Sequence, residues 1–146
     1  MKTLFAALAV SAAFLATSAY AAGGPPYAEN GPVWDFAQIK TKDGHFDEYM
    51  KWLDTAWKQQ EETLKKAGYI MDYKVYVVTD PRSGEPDLLL ATEYKNMAAM
   101  DTPVAEMYAF AAKHFGSADQ ADKEQSARGS IRTVMGDMLI REAVLR

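Results

Sequence analysis

The sequence predicts one α+β domain whose elements follow the order strand, helix, strand, strand, helix, strand. Two runs rich in Val, Tyr, Leu and Ile flank a Pro- and Gly-containing turn within residues 70–95, which is typical of an antiparallel hairpin. An amphipathic helical pattern precedes this hairpin, and a second helical segment follows it. Each outer end of the domain carries one more strand-like run. This split β-α-β-β-α-β order predicts a four-stranded antiparallel sheet with both helices on one face.

The first 21 residues have the features of a secretory signal peptide. Lys2 gives a positive start, residues 4–16 are almost wholly apolar, and Ala19-Tyr20-Ala21 supplies a small-x-small cleavage pattern. The apolar run is shorter than the roughly 20 residues that a membrane span needs. Residues 22–32 are rich in Gly and Pro and are expected to form a flexible leader. We therefore expect a domain over residues 33–146 in a periplasmic or secreted protein.

Composition narrows the classes of function. The chain has 146 residues, which suffices for one domain with its own core. Its formal charge of −4 offers no basic field for nucleic acid or for an anionic membrane surface. It has no cysteine, which excludes disulfides, thiolate metal sites and cysteine nucleophiles.

The first strand and the first helix show the clearest patterns. Residues 33–41 place Trp34, Phe36 and Gln38 on one face of a strand and Val33, Ala37 and Ile39 on the other. A helix follows, with apolar residues at intervals of three, four or seven: Phe46, Tyr49, Met50, Leu53, Trp57, Leu64 and Ala67. Its opposite, solvated face is expected to carry Lys58, Gln59, Glu61, Glu62, Lys65 and Lys66. Gly68 is the expected stop.

The second half of the chain completes the pattern. Thr102-Pro103 opens a helix that runs to Phe115, residues 118–132 are expected to be a polar helix, and residues 138–145 form the last strand. The sheet face opposite the helices would expose Trp34, Phe36 and Tyr76 as one apolar patch. A second copy of the sheet is the simplest cover, which predicts a homodimer.

Two segments carry a resemblance to a known superfamily. They are KDGHFDEYMKWLDTAWKQQEETLKKAGYI, at residues 42–70, and LLLATEYKNMAAMD, at residues 88–101. Residues 33–146 resemble the dimeric α/β-barrel superfamily, in which two ferredoxin-like domains pack sheet to sheet, and especially its small secreted bacterial members of unassigned activity. The resemblance implies a pocket between sheet and helices or inside the dimer barrel. Members include cofactor-independent monooxygenases, haem-degrading and haem-binding enzymes and muconolactone-isomerase-like proteins, so fold alone does not select an activity.

Polar residues within strands are the candidates for chemistry. Charges on a covered sheet face are costly unless they are paired or line a pocket, which makes Lys74, Glu93 and Arg141 the candidate catalytic residues. Lys74 and Glu93 are expected to pair beside Tyr76 if they share a face. The ligand-pocket candidates are Trp34, Phe36, Gln38, Tyr76 and His114.

Three hypotheses about function follow. The first is a secreted homodimer that encloses a small apolar or aromatic ligand, without a cofactor or a metal. The second is an enzyme, of the cofactor-independent monooxygenase or isomerase/lyase type. The third is haem binding through His114, because haem-binding relatives place an axial histidine on their second helix.

Overall fold

The computed structural model describes residues 26–145, without the side chains of residues 29 and 30. Its four strands are β1 (Tyr27–Thr41), β2 (Asp72–Val77), β3 (Leu88–Tyr94) and β4 (Arg132–Leu145). Its α-helices are α1 (Phe46–Trp52), α2 (Lys58–Ala67), α3 (Val104–Phe115) and α4 (Ala118–Ala127). The predicted signal peptide and residues 22–25 of the predicted leader lie outside the described residues. No helix within residues 26–145 has the length and apolar character to cross a bilayer.

The strands form one antiparallel sheet in the order β2-β3-β1-β4. β1 is central: Phe36 lies opposite Ala91 of β3 and opposite Met138 of β4. The hairpin of β2 and β3 pairs Lys74 with Ala91. This arrangement is the ferredoxin-like α+β fold that the element order predicted.

β1 begins earlier than the sequence pattern indicated. Tyr27 pairs with Leu145, so residues 27–32, expected to belong to the leader, lie in the sheet instead. The pairing shifts register between Glu29 and Val33, and Gly31 lies in this irregularity with a φ of 84°. A bulge of this kind lets a strand carry glycine and proline, which the sequence alone indicated as leader.

β4 also begins earlier than predicted. α4 ends at Ala127, a 3₁₀ turn covers Arg128–Ser130, and the strand starts at Arg132 instead of residue 138. The pairing of β4 with β1 shifts register between Gln38 and Ile39. Gly136, with a φ of 154°, lies opposite Gln38. The bulge interrupts the alternation of side chains along β4, so its first half does not read as a regular strand.

The core lies between the sheet and the first helical segment. α1 and α2 are joined without a break by a π-helical turn, Leu53–Trp57. The buried cluster comprises Ile39, Tyr49, Leu53, Trp57, Leu88 and Leu90. α2 ends at Gly68, whose left-handed φ of 81° provides the expected cap.

α3 is held more loosely. Val104, Met107 and Tyr108 are all more than half exposed. Its half-buried residues lie in the second half of the helix and include Phe110 and His114. The three exposed apolar residues therefore do not belong to the core of a single chain.

Candidate functional site

A cavity of about 290 Å³ lies on the helical side of the sheet. One wall is aromatic and consists of Tyr49, Trp52 and Trp57. The rest of the lining carries polar side chains: Gln60, Gln125, Arg128, Arg132 and Asp137. Apolar residues of the sheet, including Ala37 and Val134, complete it. We call this space the arginine cavity.

The aromatic wall is held by ring contacts. Tyr49 stacks on Trp52 with ring centroids 5.4 Å apart and planes 16° apart. Trp57 meets Tyr73 edge to face, with ring centroids 5.4 Å apart.

Burial raises the pKa of the Tyr49 hydroxyl, although the nearby charges of Arg132 and Arg128 oppose the rise. At neutral pH Tyr49 is thus a neutral hydroxyl beside two cations.

The two arginines lie against this wall. The guanidinium carbon of Arg128 is 4.3 Å from the ring centre of Trp52, and that of Arg132 is 5.7 Å from the ring centre of Tyr49. Both guanidinium groups donate a hydrogen bond to the Oε1 atom of Gln125. The donor–acceptor distance is 2.5 Å for Arg128 and 3.2 Å for Arg132. Burial, followed by the charge of Arg132, lowers the pKa of Arg128. One neutral amide oxygen therefore serves two neighbouring cations.

These arginines also have unused donors. The Nε atoms of Arg128 and Arg132 are buried, and no residue in the described part of the chain accepts a hydrogen bond from either. Within residues 26–145 neither side chain forms a salt bridge. Arg132 is only 8% exposed, so its charge is largely removed from water. Buried donors without acceptors are rare in folded proteins and require an explanation.

A second group of titratable residues, which we call the acid cluster, contains Asp35, Glu61 and Asp137. The charge of Asp137 acts on Asp35, and Thr92, which lies opposite Asp35 in the sheet, donates a hydrogen bond to Glu61. Glu61 is 4% exposed; burial raises its pKa to about 7, although Thr92 donates a 3.4 Å hydrogen bond to its carboxyl group. Burial and the charge of Asp137 raise the pKa of Asp35, and its Oδ1 has no hydrogen-bond donor among the described residues. A carboxyl group with a pKa near 7 can both accept and release a proton at neutral pH.

The acid cluster and the arginine cavity share Asp137. Asp137 lies opposite Ala37 in the sheet, and both residues line the cavity. In the part of the chain that the structure describes, no group of three or more His, Asp or Glu side chains is placed to hold a metal ion.

Most residues predicted for the site lie elsewhere, on the sheet face that the helices leave uncovered. We call it the open face. It carries six of the predicted site residues: Trp34, Phe36, Gln38, Lys74, Tyr76 and Glu93. The rings of Trp34 and Phe36 are 6.2 Å apart and those of Phe36 and Tyr76 are 6.1 Å apart, forming an aromatic row. These residues come together, but away from the arginine cavity.

Lys74 does not have the partner that was expected. Its salt bridge is with Asp72, at 3.9 Å, and its ammonium group lies 4.8 Å from the ring centre of Trp34. Asp72 lies two residues earlier on the same strand face and is itself opposite Glu93. The ammonium group of Lys74 therefore pairs with Asp72, and not with Glu93 as expected.

The two remaining predicted residues are not part of the open-face group. Arg141 is exposed on β4 opposite Val33. His114 lies in α3, stacked on Phe110 at 5.7 Å and edge to face with Phe115 at 4.8 Å. The structure thus does not bring the three candidate catalytic residues, Lys74, Glu93 and Arg141, into one site.

Sequence reasoning missed the residues of the arginine cavity and the acid cluster. Glu61 was assigned to the solvated face of the helix, but it follows Trp57 by four residues and precedes Leu64 by three, a spacing that places it among the apolar residues. Arg128 and Arg132 fell in a stretch expected to be a polar helix. No local signal in that stretch distinguishes a buried arginine from an exposed one.

A second cavity of about 290 Å³ lies between α2 and α3. Its walls are mainly apolar and include Leu64, Ile70, Met100, Met107 and Phe110. Its acidic residue, Glu106, already accepts a 3.0 Å hydrogen bond from the hydroxyl of Tyr69. This cavity has fewer groups that could orient a ligand than the arginine cavity has.

The comparisons with known proteins concern the fold. No protein-family model and no curated protein sequence matches the chain. Among solved structures it is similar to HapK from Hahella chejuensis, with a TM-score of 0.52 and 12% identity over 75% of this chain and 91% of that one. It is also similar to protein SO0527 from Shewanella oneidensis, with a TM-score of 0.50 and 14% identity over 81% of this chain and 98% of that one. At such identities the similarity establishes architecture alone, and the chain is thus a ferredoxin-like α+β protein, as its resemblance to that superfamily implied.

Proposed function

We propose that the protein is a small-molecule-binding protein that holds an aromatic ligand in the arginine cavity. The observation that carries this proposal is that three aromatic side chains and a set of hydrogen-bonding groups converge on one space of about 290 Å³. Ligand pockets combine an apolar lining with a few placed polar groups, and a volume near the lower end of their usual range of roughly 300–1,000 Å³ suits a ligand of one or two rings.

Packing defects give a poorer account of this cavity. Protein interiors are close-packed, and gaps much larger than a water molecule are few. The unpaired Nε atoms of Arg128 and Arg132 would add a further cost if they had no partner in the functional protein. A ligand that fills the cavity and accepts hydrogen bonds from the two arginines removes both the empty volume and the unpaired donors.

The test uses 2-naphthol as a neutral probe and tryptophan fluorescence as the readout. The chain has three tryptophans, and Trp34→Phe removes the one on the open face, so the signal comes from Trp52 and Trp57. We expect saturable quenching in this variant. Val134 lines the cavity but is 43% exposed, so Val134→Phe should fill the space with little effect on folding.

The matched control adds the same ring elsewhere. Val104 is 68% exposed on α3 and does not line the arginine cavity. The Val104→Phe substitution, made in the Trp34→Phe variant, should therefore leave the affinity for 2-naphthol unchanged. Equal quenching in the Val134→Phe and Val104→Phe variants would refute binding in the arginine cavity. Loss of binding only after a substitution at Phe110, which lines the cavity between α2 and α3, would place the ligand there instead.

We further propose that the protein is a homodimer joined through the open face. Tyr76 of the aromatic row and its neighbours Met138 and Ile140 are each more than two-fifths exposed. Together they make an apolar surface whose exposure to water is unfavourable. A second copy is self-complementary to this surface in a two-fold arrangement. Sedimentation at micromolar concentration is expected to give a dimer, and Phe36→Lys a monomer.

A matched control also exists for the dimer. Tyr108→Lys places the same charge on the exposed side of α3, where Tyr108 is 63% exposed, and should leave the dimer intact. A wild-type monomer, or dissociation by Tyr108→Lys and not by Phe36→Lys, would contradict this interface.

An acid–base enzyme, of the cofactor-independent monooxygenase or isomerase/lyase type, is the second candidate. The observation that favours it is Glu61, a buried carboxyl group with a pKa of about 7 that adjoins Gln60, a residue of the cavity lining. Such a group is suited to move a proton to or from a bound compound. An NMR experiment in D₂O would discriminate: exchange of the C1 hydrogen of 2-naphthol that Glu61→Gln abolishes would favour the enzyme.

Export is a separate proposal. Its support is the positive start, apolar run and small-x-small pattern of residues 1–21. The mass of the protein recovered from the source cells should correspond to a chain that starts at Ala22. An intact chain in the cytoplasmic fraction would contradict export.

A further inference from the structure

We propose that the ligand of the arginine cavity carries a monoanionic carboxylate, which Arg128 and Arg132 bind together. This inference rests on the proposed ligand-binding function and specifies the chemical class of the ligand: an aryl carboxylate whose ring lies on the aromatic wall.

The donors are the first observation. Gln125 accepts one hydrogen bond from each guanidinium group, and this leaves the buried Nε of each arginine without an acceptor among the described residues. A carboxylate has two oxygens and about four lone-pair positions, so it can accept from two guanidinium groups at once. A neutral alcohol or amide offers a single oxygen as acceptor.

The charges are the second observation. Burial and the neighbouring charge of Arg132 lower the pKa of Arg128, and neither guanidinium group forms a salt bridge with a described residue. Of the acidic groups near them, Asp137 lies on the cavity wall beyond salt-bridge distance, and Glu124 acts on Arg128 only through its field. Two cations and one carboxylate leave the cavity walls with one net positive charge, which a monoanion neutralises.

The aromatic wall completes the recognition. Arg128 lies over the ring of Trp52 and Arg132 over the ring of Tyr49, so the guanidinium groups border the aromatic part of the cavity lining. A flat ring that carries its carboxylate directly would contact the half-buried side chain of Trp52 while its carboxylate meets the arginines. Inorganic phosphate or sulfate would use the arginines but leave the aromatic wall without a contact.

The experiment compares 2-naphthoate with its neutral counterpart 2-naphthamide in the Trp34→Phe background. We expect 2-naphthoate to bind about tenfold to a hundredfold more tightly, which is the range that charge-assisted hydrogen bonds provide. Arg132→Gln should remove this preference, so that 2-naphthoate and 2-naphthamide bind with similar affinity. Arg132→Lys keeps the charge but removes Nε and should retain part of the preference.

Lys74→Gln is the matched control, because it removes one positive charge from the open face. It should leave the preference for 2-naphthoate unchanged. Circular dichroism identifies any variant that does not fold. If Arg132→Gln does not fold, Arg128→Gln is used instead, because Arg128 is only half-buried.

The outcomes distinguish failure of the anionic ligand from failure of ligand binding itself. Equal binding of the acid and the amide, or an unchanged preference in folded arginine variants, overturns the anionic ligand while ligand binding stands. A loss of preference in Lys74→Gln equal to that in Arg132→Gln also overturns it. Failure of both compounds to bind overturns the anionic ligand together with the proposed binding function.

Discussion

Glu61 offers the sharpest quantitative prediction. Burial moves its pKa from 4.5 to about 7, which corresponds to roughly 3 kcal/mol of difference between its protonated and ionised forms in the folded protein. The folded-state pKa lies above the unfolded value, so the contribution of Glu61 to stability is complete below about pH 4.5 and is lost as the pH rises through about 7. The free energy of unfolding should therefore fall by about 3 kcal/mol from this group between about pH 5 and pH 8.

Glu61→Gln tests this account. Glutamine is nearly the same size and does not ionise, so the variant should lose this part of the pH dependence and be more stable than the wild type at about pH 8. Urea unfolding followed by circular dichroism, at one fixed protein concentration, gives the free energies. The other titratable groups are present in both proteins and cancel in the difference.

Glu142→Gln is the control, because Glu142 is exposed on β4. It should follow the wild-type pH profile within about 0.5 kcal/mol. If Glu61→Gln and the wild type show the same slope between about pH 5 and pH 8, Glu61 is ionised in the folded protein and the reasoning is refuted.

Three further predictions concern stability and haem. Asp87 accepts hydrogen bonds from Lys40 and from the amide and hydroxyl of Thr41, at 2.6–2.8 Å, so Asp87→Ala should lower the free energy of unfolding by about 2–4 kcal/mol in urea; a loss below about 0.5 kcal/mol would contradict this. Gly68→Ala forces a β-carbon into a left-handed φ of 81° and should cost about 1–2 kcal/mol in the same assay, whereas a neutral effect would show that α2 can end otherwise. Haem titration should give no Soret shift that depends on His114, because its ring is packed against Phe110 and Phe115; a shift lost in His114→Ala would revive haem binding.

The sequence predicted the fold because its signals are local and repeated. The alternation in β1 and the three- and four-residue spacing of Tyr49, Leu53 and Trp57 identify the buried faces before any contact is known. The early starts of β1 and β4 could not be predicted. Gly31 and Gly136 lie at irregularities that only the partner strand defines, and glycine near proline otherwise indicates a loop.

The candidate site could not be predicted, because its parts come from distant segments. Arg128 follows α4, Tyr49 lies in α1 and Asp137 lies in β4, and the topology alone brings them to one cavity. The prediction instead selected polar residues within strands, such as Lys74 and Glu93. Alternation placed them together on the open face, but it could not show that a polar cavity lies on the helical side of the sheet.

The position of bound 2-naphthoate tests the central claim most directly. Isotope-filtered NMR on the wild-type protein records which side chains lie next to the ligand ring. We expect contacts from the ring to Trp52 and Val134, with the carboxylate toward Arg128 and Arg132. Contacts to Phe36 and Tyr76 on the open face, or to Phe110 between α2 and α3, would contradict it.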